Sequence, residues 1–413
     1  MLIILIVFVQ SLEIELINLQ QVYYSVEIWA NNKNYNLIVD TGSDTLWIFG
    51  KQNNRRRYYE CNECEAINKM RLDYGLGSIQ GTQYNQEFKF VNERLNLSVV
   101  EVNQVQDLES LIADGIIGLS KQSTNTKQNL IEIMSYKKLM DGKQFGLLLN
   151  DQICSSNSLL ILGYPNQSHY IGQLQYINTT NSNLWNSYAN SIYVTNNTYL
   201  KILESKKQLI LFDSGTSKIM MSSKKFHALH NIFNDDYNLQ CESVKHLQFH
   251  ELVCHFTDEY PNVIININSE LNLTLLPQDY ISSCGYNYLL QYRCYLNFQN
   301  LDNDDEIILG VVFLQKYYTH YDLLNNQVGI AQSKYYKRDQ IPITHLGQQH
   351  SYEMFYISMI SVIILVLLVI LAMNFLKVRQ NANEIAQSDE DNKQGNVQEQ
   401  EMEPIKSSAS QQR

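Results

Sequence analysis

The chain has 413 residues, 45% hydrophobic and 18% charged, with 31 Lys plus Arg against 42 Asp plus Glu and a formal net charge of -11. So much apolar material excludes wholesale disorder and allows two or three folded units. An acidic chain without a basic stripe repels phosphate backbones, so no nucleic-acid partner is expected. With 17 Gly and 5 Pro it is neither collagen-like nor linker-rich, and 28 Tyr suit strands, so the expected fold class is all-β.

Residues 1–9 are an unbroken apolar run reaching the polar Gln10-Ser11, the length of a signal-peptide core and too short to span a bilayer. Residues 1–11 are read as a secretory signal, the alternative being a buried first strand. From Leu12 to about Ser333 short apolar or alternating runs recur, such as Tyr24-Ser25-Val26-Glu27-Ile28-Trp29 and Val263-Ile264-Ile265-Asn266-Ile267, separated by Asn, Gly and Ser clusters. This is the pattern of short strands and tight turns. Helical patterning is confined to residues 129–138 and 223–232. Arg55-Arg56-Arg57 is read as a solvated basic loop, because so short a charge run seldom carries specificity alone.

Residues 334–354 are polar and read as a stalk. Residues 355–373 carry no charge and are long enough to span about 30 Å as a helix. Lys377 and Arg379 follow while Glu353 precedes, so the positive-inside rule puts the tail, 374–413, in the cytosol, where its polar composition predicts disorder. The expected topology is single-pass type I, with the folded part in the lumen of the secretory or endolysosomal pathway or at the cell exterior. Five Asn-x-Ser/Thr sequons, at Asn96, Asn166, Asn178, Asn196 and Asn272, and all seven cysteines lie between the two apolar segments, as a glycosylated, disulfide-bonded ectodomain requires. Cys61-Asn62-Glu63-Cys64 lacks a second Cys or His pair at ligand spacing, so no metal is expected. Seven is odd, and Cys154 is the expected free thiol.

One internal repeat carries chemistry. Leu37-Ile38-Val39-Asp40-Thr41-Gly42-Ser43 recurs as Ile210-Leu211-Phe212-Asp213-Ser214-Gly215-Thr216, and Asp114-Gly115-Ile116-Ile117-Gly118-Leu119 has its counterpart in Ile307-Ile308-Leu309-Gly310-Val311. A lone Asp in such a turn is usually a turn-former. Two brought together by pseudo-twofold symmetry are different, because carboxylates about 3 Å apart cannot both ionise easily and share a proton.

With these motifs in this order, the chain resembles the pepsin-like family of aspartic endopeptidases over about residues 18–332. The resemblance implies a bilobal β fold over 12–333, with an N-terminal lobe of about 12–172 and a C-terminal lobe of about 173–333. It implies a monomer that acts on polypeptide substrates without metal or cofactor, at an acidic optimum. Asp40 and Asp213 would hold and activate a water. Ser43 and Thr216 would orient the carboxylates, Thr41 and Ser214 would tie the loops together, and Gly42 and Gly215 would permit the tight backbone. Tyr74, with Gly75 and Gly77, looks like the flap over the cleft, and Trp47 like its hydrogen-bond partner. Cys61 with Cys64, and Cys254 with Cys294, resemble the family's disulfides, which leaves Cys241 with Cys284 as an extra bridge. The competing reading, a peptide-binding module on the same fold, would be expected to lose an Asp, and both are present. Asp44 stands where Ser is usual and Val311 where Asp is common, and both bear on the pH optimum. The 28 residues 12–39 are about the family's mature N-terminal length, so no inhibitory prosegment is expected within them: either the enzyme is made active or this sequence lacks the segment that carries it.

Overall fold

The continuous apolar run Leu37-Ile38-Val39 suits a strand covered on both faces. It lies in strand Lys33–Asp40, which pairs antiparallel with Tyr23–Ala30 and parallel with Gly115–Gly118. Trp47–Phe49 then pairs antiparallel with Gly115–Gly118 and parallel with Glu93–Gln106. The second half repeats this arrangement. Gln208–Phe212 runs parallel to Ile307–Leu309, while Ile219–Ser222 pairs antiparallel with Ile307–Leu309 and parallel with Tyr292–Leu301. The sequence repeat is thus a repeat of topology, and it delivers Asp40 and Asp213 to the ends of equivalent strands.

The structure, a computed structural model, describes residues 11–336 except 62–63, 122–128, 152–156, 197–199, 247, 258, 288–290 and 302–305, together with 364–377 and 379. Its strands form sheets of 13, 8 and 4 strands. The largest is two sheets joined through Leu12–Leu19, which pairs first with Ser158–Leu162 and then with Tyr23–Ala30. One part of it is shared by the two halves of the chain: Gln144–Leu148 pairs with Tyr317–Asp322, Tyr317–Asp322 with Gln327–Ser333, and Gln327–Ser333 with Tyr170–Asn178. The expected lobe boundary at 172/173 therefore falls inside a strand, and the last two strands complete a sheet begun by the N-terminal half. Hydrogen bonding is the reason, since Gln144–Leu148 would otherwise leave an unpaired edge.

Helices Leu130–Tyr136 and Ser223–Asn231 form where the patterning predicts, the first with a capping box between Asn129 and Glu132. A further helix, Val311–Lys316, follows Gly310 outside the two stretches with helical patterning; all its residues are buried, and a fully buried run carries no period to tell helix from strand. Residues 364–377 are helical, and among the described residues no helix is long and apolar enough to cross a membrane. Residues 1–10, 337–363 and 380–413, to which most of the signal, the stalk, the start of the expected span and the tail belong, lie outside the described residues, as does Cys154.

Cys61 is joined to Cys64. The expected Cys254–Cys294 bridge is replaced by Cys241–Cys254 and Cys284–Cys294. The physical reason is register. Cys294 has Cys254 directly opposite on one neighbouring strand and Cys284 directly opposite on the other, so pairing through sequence order alone is ambiguous. The observed bridges close short separations of 13 and 10 residues, which cost little chain entropy to bring together.

His320 lies fully buried in the shared sheet, with Nδ1 3.1 Å from the Tyr176 hydroxyl and Nε2 3.4 Å from the Gly163 carbonyl. Burial pulls its pKa from 6.5 down to about 4, against the opposing pull of Gly163 and the charge of Asp322. Between these values the unfolded chain binds a proton that the folded chain refuses, so the contribution of the neutral ring is whole above 6.5 and lost as pH falls toward 4. Replacing His320→Gln should remove about 3 kcal/mol of the acid-induced loss. Urea unfolding of both proteins at pH 7 and pH 4 checks this, and an unchanged pH dependence would contradict it.

Candidate active site

Each aspartate is delivered by a buried apolar strand and fixed by the turn that follows. The Gly42 N–H donates to Asp40 Oδ1 at 2.8 Å and the Ser43 hydroxyl to Oδ2 at 2.5 Å. The second loop repeats the pattern: the Gly215 N–H donates to Asp213 Oδ1 at 2.8 Å and the Thr216 hydroxyl to Oδ2 at 2.6 Å. The two loops are cross-tied. Thr41 donates its hydroxyl to the Phe212 carbonyl at 2.8 Å and accepts from the Ser214 N–H at 3.0 Å. Ser214 donates its hydroxyl to the Val39 carbonyl at 2.6 Å and accepts from the Thr41 N–H at 3.1 Å. All four bonds are buried, where hydrogen bonds are strongest and hardest to replace with water.

The glycines permit a face-to-face approach. A Cβ on Gly42 would lie 2.5 Å from Asp213 Oδ1, and one on Gly215 would collide with Asp40 Oδ1. Both carboxylates are buried, at 5% and 8% exposure. Burial, then the charge of Asp213 and a hydrogen bond shared with it, push Asp40 well above the usual carboxylate range, against the pull of the Ser43 hydroxyl and the Gly42 N–H. Asp40 therefore keeps its proton where an isolated aspartate has lost its own.

Above the pair, strands Asn68–Asp73 and Ser78–Phe90 form a hairpin whose turn, Tyr74-Gly75-Leu76-Gly77, is closed by Tyr74 N–H to Gly77 O at 2.7 Å and Gly77 N–H to Tyr74 O at 3.2 Å. The Trp47 indole N–H donates to the Tyr74 hydroxyl at 2.7 Å. That hydroxyl also reaches Ser43, and burial together with the charge of Asp40 raises its pKa far beyond the phenol range, so it stays a neutral donor and acceptor. Tyr74 and Leu76 pack on a small apolar cluster that includes Ile38, Trp47, Leu108, Leu111 and Ile116.

Three features carried no signal in the sequence. Tyr23 packs on the same cluster, and its pKa is raised by burial and then by the charges of Asp213 and Asp40. Gln248, in the turn between Glu242–His246 and Phe249–His255, donates its Nε2 to the Gly75 carbonyl at 2.6 Å, so a second hairpin touches the tip of the first. Tyr321, fully buried, hydrogen-bonds the Thr41 hydroxyl and stacks on Phe145 with centroids 4.7 Å apart. The two departures also acquire structural roles. Asp44 accepts from the Thr45 hydroxyl at 2.6 Å, and the Val311 N–H donates to the Thr216 carbonyl at 2.8 Å, so the second loop is held by backbone and receives no third carboxyl from this position.

The sequence profile of the eukaryotic aspartyl proteases matches residues 21–333. The chain belongs to that family. Among curated relatives it is 25% identical over 329 residues to chymosin of Bos taurus, and 28% identical over 345 residues to cathepsin E-A of Xenopus laevis; each match spans 76% of this chain and 81% of the relative. Among solved structures, the aspartic proteinase of Irpex lacteus superposes with a TM-score of 0.64 at 18% identity, covering 79% of this chain and 98% of the other. At that identity the likeness is one of fold. In the eukaryotic aspartyl protease described here, the two Asp loops are tied to each other through Thr41 and Ser214, and the flap-like hairpin is tied to Trp47 through Tyr74.

Proposed function

We propose that this aspartyl protease is an endopeptidase in which one water is activated between Asp40 and Asp213, and that it is held to a membrane by a single C-terminal helix. The observation that carries the reading is the pair of buried carboxylates, each fixed by a Gly N–H and a hydroxyl and each facing the other loop's glycine.

A pair that holds one proton can do two jobs at once. Its ionised carboxylate takes a proton from water as the oxygen attacks the peptide carbonyl, and its protonated carboxyl hydrogen-bonds the carbonyl oxygen. The proton taken from water then passes to the leaving nitrogen, so the C–N bond breaks and the enzyme regains its starting charge. Lowering of the flap with Tyr74 excludes bulk water. The substrate is an extended polypeptide segment, mainly apolar where it meets the cluster around Trp47. The enzyme works as a monomer in an acidic lumen or at the cell exterior, with exposed Asn96, Asn178 and Asn272 as glycan acceptors.

The test is made on membranes from cells expressing the full chain. After a carbonate wash, the pellet should hydrolyse a denatured protein at acidic pH, and a statine-type transition-state mimic should block it. Activity found only in the carbonate supernatant would remove the anchor, and absence of statine-sensitive hydrolysis at every pH would remove the endopeptidase.

A further inference from the structure

We propose that the hairpin of strands Glu242–His246 and Phe249–His255 is a second flap, and that Gln248 at its tip latches the tip of the first, so that a polypeptide reaches the dyad only when the two part. The proposal deepens the endopeptidase reading and rests on it for the nature of what enters.

Topology carries the first step. In the N-terminal half, Asn68–Asp73 pairs antiparallel with Ser78–Phe90, which pairs antiparallel with Glu93–Gln106, and Glu93–Gln106 runs parallel to Trp47–Phe49, the strand beyond the first Asp loop. In the C-terminal half, Glu242–His246 pairs antiparallel with Phe249–His255, which pairs antiparallel with Tyr292–Leu301, and Tyr292–Leu301 runs parallel to Ile219–Ser222, the strand beyond the second Asp loop. Strand for strand, the later hairpin is the counterpart of the flap. The repeat that sets Asp213 opposite Asp40 therefore sets one hairpin opposite the other.

Contact carries the second step. The Gln248 amide donates to the Gly75 carbonyl at 2.6 Å, tip to tip. Both groups are exposed, so water competes for each and the bond can be made and broken without burying or stranding a polar group. The base of the second hairpin is held differently. Glu251, 8% exposed, meets Lys218 Nζ at 2.7 Å and the Gln299 amide, and the His250 N–H donates to Asn300 Oδ1 at 2.5 Å. Lys218 follows the second Asp loop by two residues, so this base is fastened close to the dyad while the tip is free to let go. On the other side, the flap turn is closed on itself and Tyr74 is held by Trp47. Two hairpins with fastened bases and one exposed bond between their tips form a gate.

A gate of this kind acts before chemistry. Entry is proportional to the fraction of molecules with the tips apart, and one exposed neutral hydrogen bond changes that fraction by about threefold to tenfold. Its loss should speed association and lower KM while leaving kcat unchanged.

The experiment uses the full chain in detergent, as wild type, Gln248→Ala and Gln248→Lys, the last keeping a donor on a stem long enough to reach the carbonyl. Hydrogen exchange over residues 68–83 is followed without ligand, and association of a fluorescent statine-type peptide by stopped flow. In Gln248→Ala both should be about threefold to tenfold faster than in wild type, and in Gln248→Lys within about twofold of it, with the melting temperature and the pH profile of hydrolysis unmoved. A double variant, Gly75→Cys with Gln248→Cys, is then joined by a short bis-methanethiosulfonate; a Cβ at Gly75 meets nothing within 4 Å, so the first substitution fits. Joined, it should take up the peptide at least about tenfold more slowly than after reduction. Unchanged exchange or association in Gln248→Ala, an equal change in Gln248→Lys, or joined tips that admit the peptide as fast as reduced ones would each overturn the gate. If the wild type neither binds the peptide nor hydrolyses a denatured protein, the endopeptidase reading fails, and exchange over residues 68–83 decides the latch by itself.

Discussion

Asp40→Asn and Asp213→Asn should each leave the chain folded and lower hydrolysis by on the order of 10⁴-fold or more, with the double variant little worse than either. On the proposed mechanism the two carboxylates act as one group that shares a proton, and removing one leaves neither a base with an acid partner nor an acid with a base partner. In the wild type, activity should rise with pH through the lower apparent pKa of the pair, as one carboxylate ionises, and fall through the upper one, as the shared proton is lost. Stability should move the other way on mutation. Asp40 is held well above the usual carboxylate range, chiefly by burial and by Asp213. The stability tied to its protonated form is whole below the ordinary aspartate pKa and is lost as pH rises through the raised one. Asn cannot ionise, so Asp40→Asn should melt higher than wild type at neutral pH and close to it at pH 3. A single variant with substantial statine-sensitive activity, or a neutral-pH melting point below wild type, would contradict the shared proton.

What the sequence makes legible here is what is local or repeated. Asp-Thr-Gly-Ser and Asp-Ser-Gly-Thr are contiguous, and each turn builds its own hydrogen bonds from residues within three positions of the aspartate. The apolar runs before them predict buried strands, and the second copies of those runs predict the pairing that repeats in each half. What escapes depends on distant partners. Cys294 has two cysteines within reach across adjacent strands, and nothing in residue spacing ranks them. Arg55 meets carbonyls 54 to 58 residues away from a loop without periodicity, so its charge is visible and its role is not. The Gln248 amide reaches Gly75 across 173 residues. The strand that straddles residues 172 and 173 was hidden for a related reason: a sheet built from both ends of the chain respects no boundary drawn along it.

Gly215→Ala and Gly42→Ala should each lower kcat by about 10²-fold or more, although a methyl group adds no charge and removes no catalytic group. Geometry dictates this. The new Cβ on Gly215 would enter the Asp40 carboxylate, and that on Gly42 would stand 2.5 Å from Asp213 Oδ1. Neither carboxylate is a free end that can swing aside, because each accepts from a backbone N–H and a hydroxyl at 2.5–2.8 Å. Relief must come from moving the loops apart, and a misplacement of about 1 Å at reacting groups costs about 10²-fold. Overpacking of this kind also destabilises by about 1–3 kcal/mol. A second readout separates this effect from mere unfolding. Coupling between the carboxylates holds the two apparent pKa values of the pair apart, so loops pushed apart should bring those values closer and narrow the bell-shaped profile of the residual activity. An alanine variant that kept activity within about tenfold of wild type, or whose profile kept its full width while kcat fell, would show that the two glycines are not what sets the approach of Asp40 to Asp213.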